Sequence, residues 1–431
     1  MAFPTLFLLG VMACLLMSGL WIGFALMATG VISLEYFRDS PVMRQLARDI
    51  WGSMTGEELV TLPLFILKGE LLYHTGASER LFNGLAPWVR RLPGGLLHVN
   101  VLGCTLFGAV TGSTAATTAT VGRMTLPELA KRGYVRDLAV GSLAGAGTIG
   151  LLIPPSIPLI VYGVLAEASI LDLFIAGILP SLIIAASYLG WIVLRAMANP
   201  AVAPIDPAPV TWRERIVALG DLLPVVLLIV VVIGSMYTGL ASVTEAAAIG
   251  VAGALVVAAY QRTMSWGNIR RALFATVRTC SMLGLILCGA LFVGKAMTLL
   301  GIPQSVTAWV GSLGLAPFAL ILALLLVYFV LGTALDGLSA MVMTLPVALP
   351  LVLGAGFDKV WFGVFIVVTI ELSNISPPVG FSLFVIQQMT GHSQTRVALA
   401  AAPFCLLMCA FVALMTLAPE VITWLPKTMK G

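Results

Sequence analysis

Residues 125–155 read TLPELAKRGYVRDLAVGSLAGAGTIGLLIPP, and residues 348–378 read ALPLVLGAGFDKVWFGVFIVVTIELSNISPP. The two stretches are one module written twice. Leu126-Pro127, Gly133-Tyr134 and Pro154-Pro155 answer Leu349-Pro350, Gly356-Phe357 and Pro377-Pro378, each displaced by 223 positions in a chain of 431. Looser matches extend the repeat upstream. Gly19-Leu20 and Gly30-Val31 answer Gly239-Leu240 and Gly250-Val251, and Trp88-Val89 answers Trp309-Val310. Two halves, each with a proline-broken apolar helix at the same place, point to a secondary transporter with its site at the repeat interface.

Composition agrees. The chain is 60% hydrophobic and 10% charged, with mean hydropathy +1.06, where a soluble domain carries about a quarter charged residues. Apolar runs long enough for ~30 Å of hydrocarbon recur from end to end, so the expected class is an all-α polytopic membrane protein. The N-terminal run has no basic n-region and no convincing cleavage site, and it reads as a retained helix. A net charge of +4 is ordinary for loop bias and gives no reason to expect nucleic acid. Six cysteines without CxxC spacing and three scattered histidines argue against a disulfide framework or a transition-metal site.

The expected spans are 3–17, 19–34, 58–74, 137–165 and 173–195, then 216–236, 241–260, 272–300, 359–388 and 397–420. Residues 1–34 also fit one long tilted helix. The Pro-rich stretch 197–215 reads as a cytoplasmic linker between a first repeat, 1–196, and a second, 216–431. Each half adds a short arm (76–92 or 301–313) and a hairpin of two apolar runs (about 94–130 or 316–353). Five spans per half place the second repeat upside down relative to the first. Basic residues give an independent sign. The first hairpin ends at Lys131, Arg132 and Arg136 and its arm carries Arg80, Arg90 and Arg91, whereas the second ends at Asp358 and Lys359 beside an uncharged arm. By the positive-inside rule the first module is cytoplasmic and the second faces out.

The hairpin tips read Gly108-Ala-Val-Thr111-Gly112-Ser113-Thr114 and Gly332-Thr333-Ala334-Leu335-Asp336-Gly337. Such non-helical backbone at membrane depth survives only inside protein or beside a wet cavity. Helix ends there leave carbonyls for a cation and amides for an anion, and the proline pairs free more carbonyls. A hard cation such as Na⁺ suits this oxygen shell. Close helix packing by small residues is the plainer reading of a single tip; two copies, each with its own break, favour ion sites. One sodium shell is expected from Gly108, Ser113, Thr148, Ile153 and Pro154. The other is expected from Gly332, Asp336, Asn374, Ser376 and Pro377. Substrate contacts are expected from Ser113, Thr114, Arg123, Ser156, Asp336 and Gly337. Charged residues inside spans are functional candidates. Asp336 either caps the half-helix after it or coordinates; Glu371 either supports the break or acts directly; Arg123 either meets an anion or snorkels to the surface. Glu245, Arg278, Lys295, Lys68 and Glu70 are assigned to scaffold or subunit contacts.

The run Thr111-Gly112-Ser113, Gly122-Arg123, Leu126-Pro127-Glu128, Arg132-Gly133-Tyr134, Leu152-Ile153-Pro154-Pro155-Ser156-Ile157-Pro158 resembles the large membrane subunit of TRAP transporters, the tripartite ATP-independent periplasmic systems. Leu335-Asp336-Gly337 and Asn374-Ile375-Ser376-Pro377-Pro378-Val379-Gly380 resemble it too, so the likeness covers essentially the whole chain. The resemblance implies Na⁺-driven import by an elevator mechanism, in a bacterial inner membrane and its phospholipid. It also implies an organic-anion substrate, no cofactor beyond the coupling ion, a separate small four-helix membrane subunit and a periplasmic substrate-binding protein. The second tip departs from the pattern in its plainness, with Asp336 its only acid. The competing classes are an ion channel, an anion transporter working without a binding protein, and an intramembrane protease. The last is poorly served: no histidine lies near Ser113 or Ser156 in sequence, and a pair of intramembrane aspartates is missing.

Overall fold

The structure is a computed structural model of the chain. It describes all residues except Met1, Ser40, Glu57, 205–209, Leu315, Pro378, Val379 and Gly431, and leaves the side chains of Ala2, Ser53, Glu58, Ala77, Ser78, Thr333, Ala334, Phe381 and Lys430 undescribed. Pro378 and the centre of the linker therefore lie outside the described residues.

The first half holds α1 (Ala2–Met17), α2 (Ile22–Phe37), α3 (Val42–Met54), α4 (Glu58–His74), α5 (Ala77–Val89), α6 (Leu97–Thr111), α7 (Thr114–Lys131), α8 (Arg136–Ile149), α9 (Ile157–Ala166) and α10 (Ile170–Ala198). The second holds α11 (Trp212–Tyr237), α12 (Val243–Tyr260), α13 (Trp266–Leu299), α14 (Ile302–Ser312), α15 (Pro317–Ala334), α16 (Gly337–Gly354), α17 (Lys359–Asn374), α18 (Phe381–Thr390), α19 (Gln394–Leu417) and α20 (Glu420–Lys430). Among the described residues, α10, α11, α12, α13, α16 and α19 are long and apolar enough to cross a membrane. This is a polytopic, all-helical membrane protein.

Apart from α3 and α20, the element order of one half recurs in the other, and so do its stops. Gly133 and Gly356 end α7 and α16 with φ of 76° and 89°; Gly76 and Gly301 start α5 and α14 with φ of 77° and 68°. Only glycine takes that left-handed region without strain. Prolines sit inside corresponding helices, Pro127 and Pro350, Pro180 and Pro403. The N-terminal region is two helices, not one: Gly19 at φ 79° breaks the chain, and α1 folds back on α2. The linker contracts to 199–211, because Thr211 and Glu214 form a capping box that starts α11 early.

Two helices have no counterpart among the expected spans. Both α3 and α20 are amphipathic, with Trp51 and Trp424 exposed. The polar faces that keep such helices at an interface also hide them from a search for apolar runs.

Packing sorts the helices into two groups. A frame is built where α2 packs on α13, α12 on α4 and α4 on α13, with α11 on α5. Polar ties hold it: Thr61 to Thr244 at 2.6 Å, Lys295 to Asp49 at 2.6 Å, and Arg38 to the Leu299 carbonyl at 2.7 Å. A hairpin body is built where α6 and α7 pack on α8, and α15 and α16 on α17. The halves interlock here, since α7 rests on α18 and α16 on α9. At one end Arg136 donates to the Thr390 carbonyl and Arg396 pairs with Asp137 at 2.9 Å; at the other Tyr162 donates to the Lys359 carbonyl at 2.7 Å.

Candidate functional site at the hairpin tips

Each tip is made by local chemistry. α6 stops at Gly112, whose φ of 59° turns the chain, and Ser113 then caps α7 by accepting from the Ala116 amide at 3.4 Å. At the second tip Asp336 does the same for α16, accepting from the Ser339 amide at 3.2 Å and from the Ser339 hydroxyl. Ser113 and Asp336 are thus equivalent in position and in role. The capping function expected of Asp336 is present, and it leaves the residue exposed with lone pairs to spare.

The breaks are equally specific. α8 stops at Ile149, whose carbonyl accepts from Leu152 and Ile153 amides at 3.1 and 3.3 Å. Ser156 starts α9, accepting from Leu159 at 3.3 Å while its own hydroxyl donates to the Leu151 carbonyl. In the second break the Ser373 carbonyl accepts from the Ser376 amide (3.2 Å) and hydroxyl (3.0 Å), and Gly380 donates to Ser376 at 3.1 Å. Gly380 presses on this turn: a Cβ there would lie 2.5 Å from the Asn374 carbonyl oxygen.

The first tip touches its break through backbone. A Cβ on Gly108 would lie 2.1 Å from Cα of Gly150, so α6 meets the first break with no side chain between them. The second tip lies on α17, where a Cβ on Gly332 would meet Ser373 Oγ at 2.0 Å and one on Gly337 would meet Ile370 at 1.9 Å. The first tip reaches the same turn. Thr114 Oγ1 lies 3.0 and 3.1 Å from the two oxygens of Glu371, and Asn374 Nδ2 donates to Glu371 at 3.4 Å. Both tips therefore converge on Ile370–Asn374, one turn of one helix.

The expected site residues divide accordingly. Gly108, Ser113 and Thr114 belong to the first tip and Ile153, Pro154 and Ser156 to the first break; Gly332, Asp336 and Gly337 belong to the second tip and Asn374, Ser376 and Pro377 to the second break. Thr148 lies just before the first break, its hydroxyl donating to the Gly145 carbonyl at 2.7 Å. Arg123 lies apart from the tips. It is ten residues past Ser113, about 15 Å of helix, and donates to the Ala119 carbonyl and to Tyr73 Oη, each at 3.1 Å. Two contacts were not foreseen: Glu371 as the meeting point of the halves, and Lys68 Nζ donating to the Ala109 carbonyl at 3.3 Å. Both are ionisable residues inside apolar stretches of helix, Lys68 two residues from Glu70 and Glu371 twelve from Lys359, the one signal that could have marked them.

A family model for the tripartite ATP-independent periplasmic transporter, DctM component, matches residues 9–421. The chain is 31% identical over 399 residues to the C4-dicarboxylate TRAP transporter large permease protein of Pseudomonas aeruginosa, covering 92% of each. It is 28% identical over 397 residues to the isethionate TRAP transporter permease protein DctMQ of Oleidesulfovibrio alaskensis, covering 92% of this chain and 61% of that one. In fold it resembles the YdaH transporter of Alcanivorax borkumensis, with a TM-score of 0.64 at 15% identity over 92% of this chain and 96% of that one. The chain belongs to the tripartite ATP-independent periplasmic transporter family, as its large membrane subunit, the DctM component.

Proposed function

We propose that this subunit imports a small organic anion, a carboxylate or a sugar acid, by Na⁺-coupled elevator transport across a bacterial inner membrane. The observation that carries the reading is the convergence of two hairpin tips, each with its own broken helix, on one turn of α17. Free carbonyls beside hydroxyl and amide oxygens suit Na⁺, and half-helix N-termini at Ser113 and Asp336 suit an anionic group. The cargo class follows the relatives named for C4-dicarboxylate and isethionate, both organic anions. The halves are read as inverted repeats, 1–196 and 216–431, from the basic and neutral ends of the two hairpins. The frame stays fixed while the hairpin body travels.

The partners follow from the family. A periplasmic binding protein delivers the substrate, and a small four-helix subunit supports the frame as a separate chain. The longer DctMQ relative, of which this chain spans 61%, fits such a subunit fused in one polypeptide. The test is uptake into proteoliposomes holding both membrane subunits, with the binding protein outside and Na⁺ and H⁺ gradients varied separately. At least two Na⁺ per cycle are expected from the two constellations. Full uptake driven by a proton gradient without Na⁺ overturns the coupling.

A further inference from the structure

Two glycines in the frame measure where the hairpin body stands. Gly69 of α4 and Gly294 of α13 occupy equivalent positions, each seven residues before the left-handed glycine that opens the arm, Gly76 or Gly301. Each lies against a hairpin, but at different heights. A Cβ on Gly69 would lie 3.0 Å from Thr111 Cα and from the Val110 carbonyl oxygen, at the very tip of the first hairpin. One on Gly294 would lie 3.2 and 3.6 Å from Cγ and Cβ of Pro346, ten residues beyond the second tip's Asp336. A body standing midway would show both glycines equivalent parts of the two hairpins.

The offset converts to distance at ~1.5 Å per helical residue. Gly69 lies five residues from His74, where α4 ends, so the first tip stands about 8 Å from that end of the frame. Gly294 lies five residues from Leu299, where α13 ends, and the second tip is ten residues deeper, about 23 Å in all. Both tips rest on the same turn of α17, so they share one depth. The two depths sum to about 30 Å, the thickness of a hydrocarbon core. The body is therefore displaced toward the surface that the first hairpin enters, which the basic residues assign to the cytoplasm.

One buried group is placed to hold it there. Lys68 is 3% exposed, with its ammonium 5.2 Å from the centre of the Phe65 ring and 3.3 Å from the Ala109 carbonyl. That carbonyl belongs to the last turn of α6, where orphan acceptors and the negative end of the helix dipole favour a cation.

We propose that Lys68 is a positioning residue for transport: an amine tethered to the frame that holds the first tip in the cytoplasm-facing state through the Ala109 carbonyl. This rests on the elevator reading. In the opposite state the repeat places Gly294 at the second tip, against residue 334, the equivalent of Thr111 at the 223-residue spacing. Lys68 then loses Ala109, so leaving the described state removes a buried hydrogen bond from an apolar setting.

Crosslinking tests the proposal in native membranes carrying the complete system, on a cysteine-free background. Gly294→Cys pairs with Pro346→Cys in the described state and with Ala334→Cys in the opposite one. Both crosslinks are expected, and each blocks uptake. Lys68→Met raises the second relative to the first about tenfold, Lys68→Gln raises it less, and Lys68→Arg restores the original ratio. An unchanged ratio in Lys68→Met or Lys68→Gln protein that elutes as a monodisperse complex overturns the role of Lys68 and leaves the elevator standing. No 294–334 crosslink in membranes that transport overturns the displacement. A complete 294–346 crosslink that leaves uptake intact instead sinks the elevator reading itself.

Discussion

Thr114 and Glu371 stand 257 residues apart in sequence and 3.0 Å apart in space. Thr114 opens the second arm of the first hairpin, Glu371 lies on the broken helix of the second half, and both are buried. A carboxyl group sealed in a membrane protein needs its hydrogen bonds, because leaving one unmade forfeits the full desolvation of the group. Thr114→Val is therefore expected to lower both uptake and thermal stability. A double-mutant cycle with Glu371→Gln should return a coupling of about 1–2 kcal/mol. Additive effects of the two changes on unfolding in detergent would show that the pair does not bind the halves together.

The proposed sodium shells make a graded prediction. Ser113→Ala and Asn374→Ala each remove one side-chain oxygen while the backbone course stays, so the Na⁺ concentration for half-maximal uptake should rise several-fold. Pro377→Ala should raise it further, since regaining an amide donor lets the helix reclaim carbonyls that the break sets free. Na⁺ titrations that match wild type for all three variants would place the ion elsewhere.

Much of this arrangement was legible in the sequence, and the reasons are physical. The 223-residue spacing marked both hairpins and both breaks because proline and glycine act locally: Pro154 and Pro377 fall in the breaks and Gly112 turns a tip, whatever surrounds them. Helices α3 and α20 were hidden because their apolar residues lie on one stripe and not in a run. The partners of Glu371 and Lys68 were hidden for a different reason. Each charge announced itself in an apolar helix, but its partner is an ordinary threonine or a backbone carbonyl, and neither carries a signal in one sequence. Glu245, expected to serve scaffold or subunit contacts, completes the capping box of Ser242 on its own helix.

Glycine substitutions separate close approach from mere flexibility. Gly108→Ala would drive a methyl into Gly150 Cα, backbone that cannot rotate away, and should destabilise the protein by about 1–3 kcal/mol and abolish uptake. Gly190, inside α10, has nothing within 4 Å of its Cβ position. Gly190→Ala should stabilise by about 0.5–1 kcal/mol with uptake unchanged, because alanine loses less backbone entropy in a helix. Thermal melts of the two purified variants check the contrast; equal shifts would mean that the tip tolerates a side chain where α6 meets the break.

The orientation of the halves yields the last prediction. Lys131 closes the first hairpin and Lys359 opens the helix after the second, so the proposed inversion puts them on opposite faces of the membrane. Lys131 stands among Arg132 and Arg136, and a cluster of that kind stays in the cytoplasm. Lys359, whose carbonyl accepts from Tyr162 and whose ammonium donates to the Glu167 carbonyl at 3.4 Å, lies at the other end of the hairpin body. With single cysteines at these two positions on a cysteine-free background, a membrane-impermeant maleimide applied to spheroplasts should label Lys359→Cys and spare Lys131→Cys. Permeabilising the membrane should then expose the second. Labelling of both from the same side would place the two hairpins on one face, and a site reached alternately from opposite faces through them would no longer be tenable.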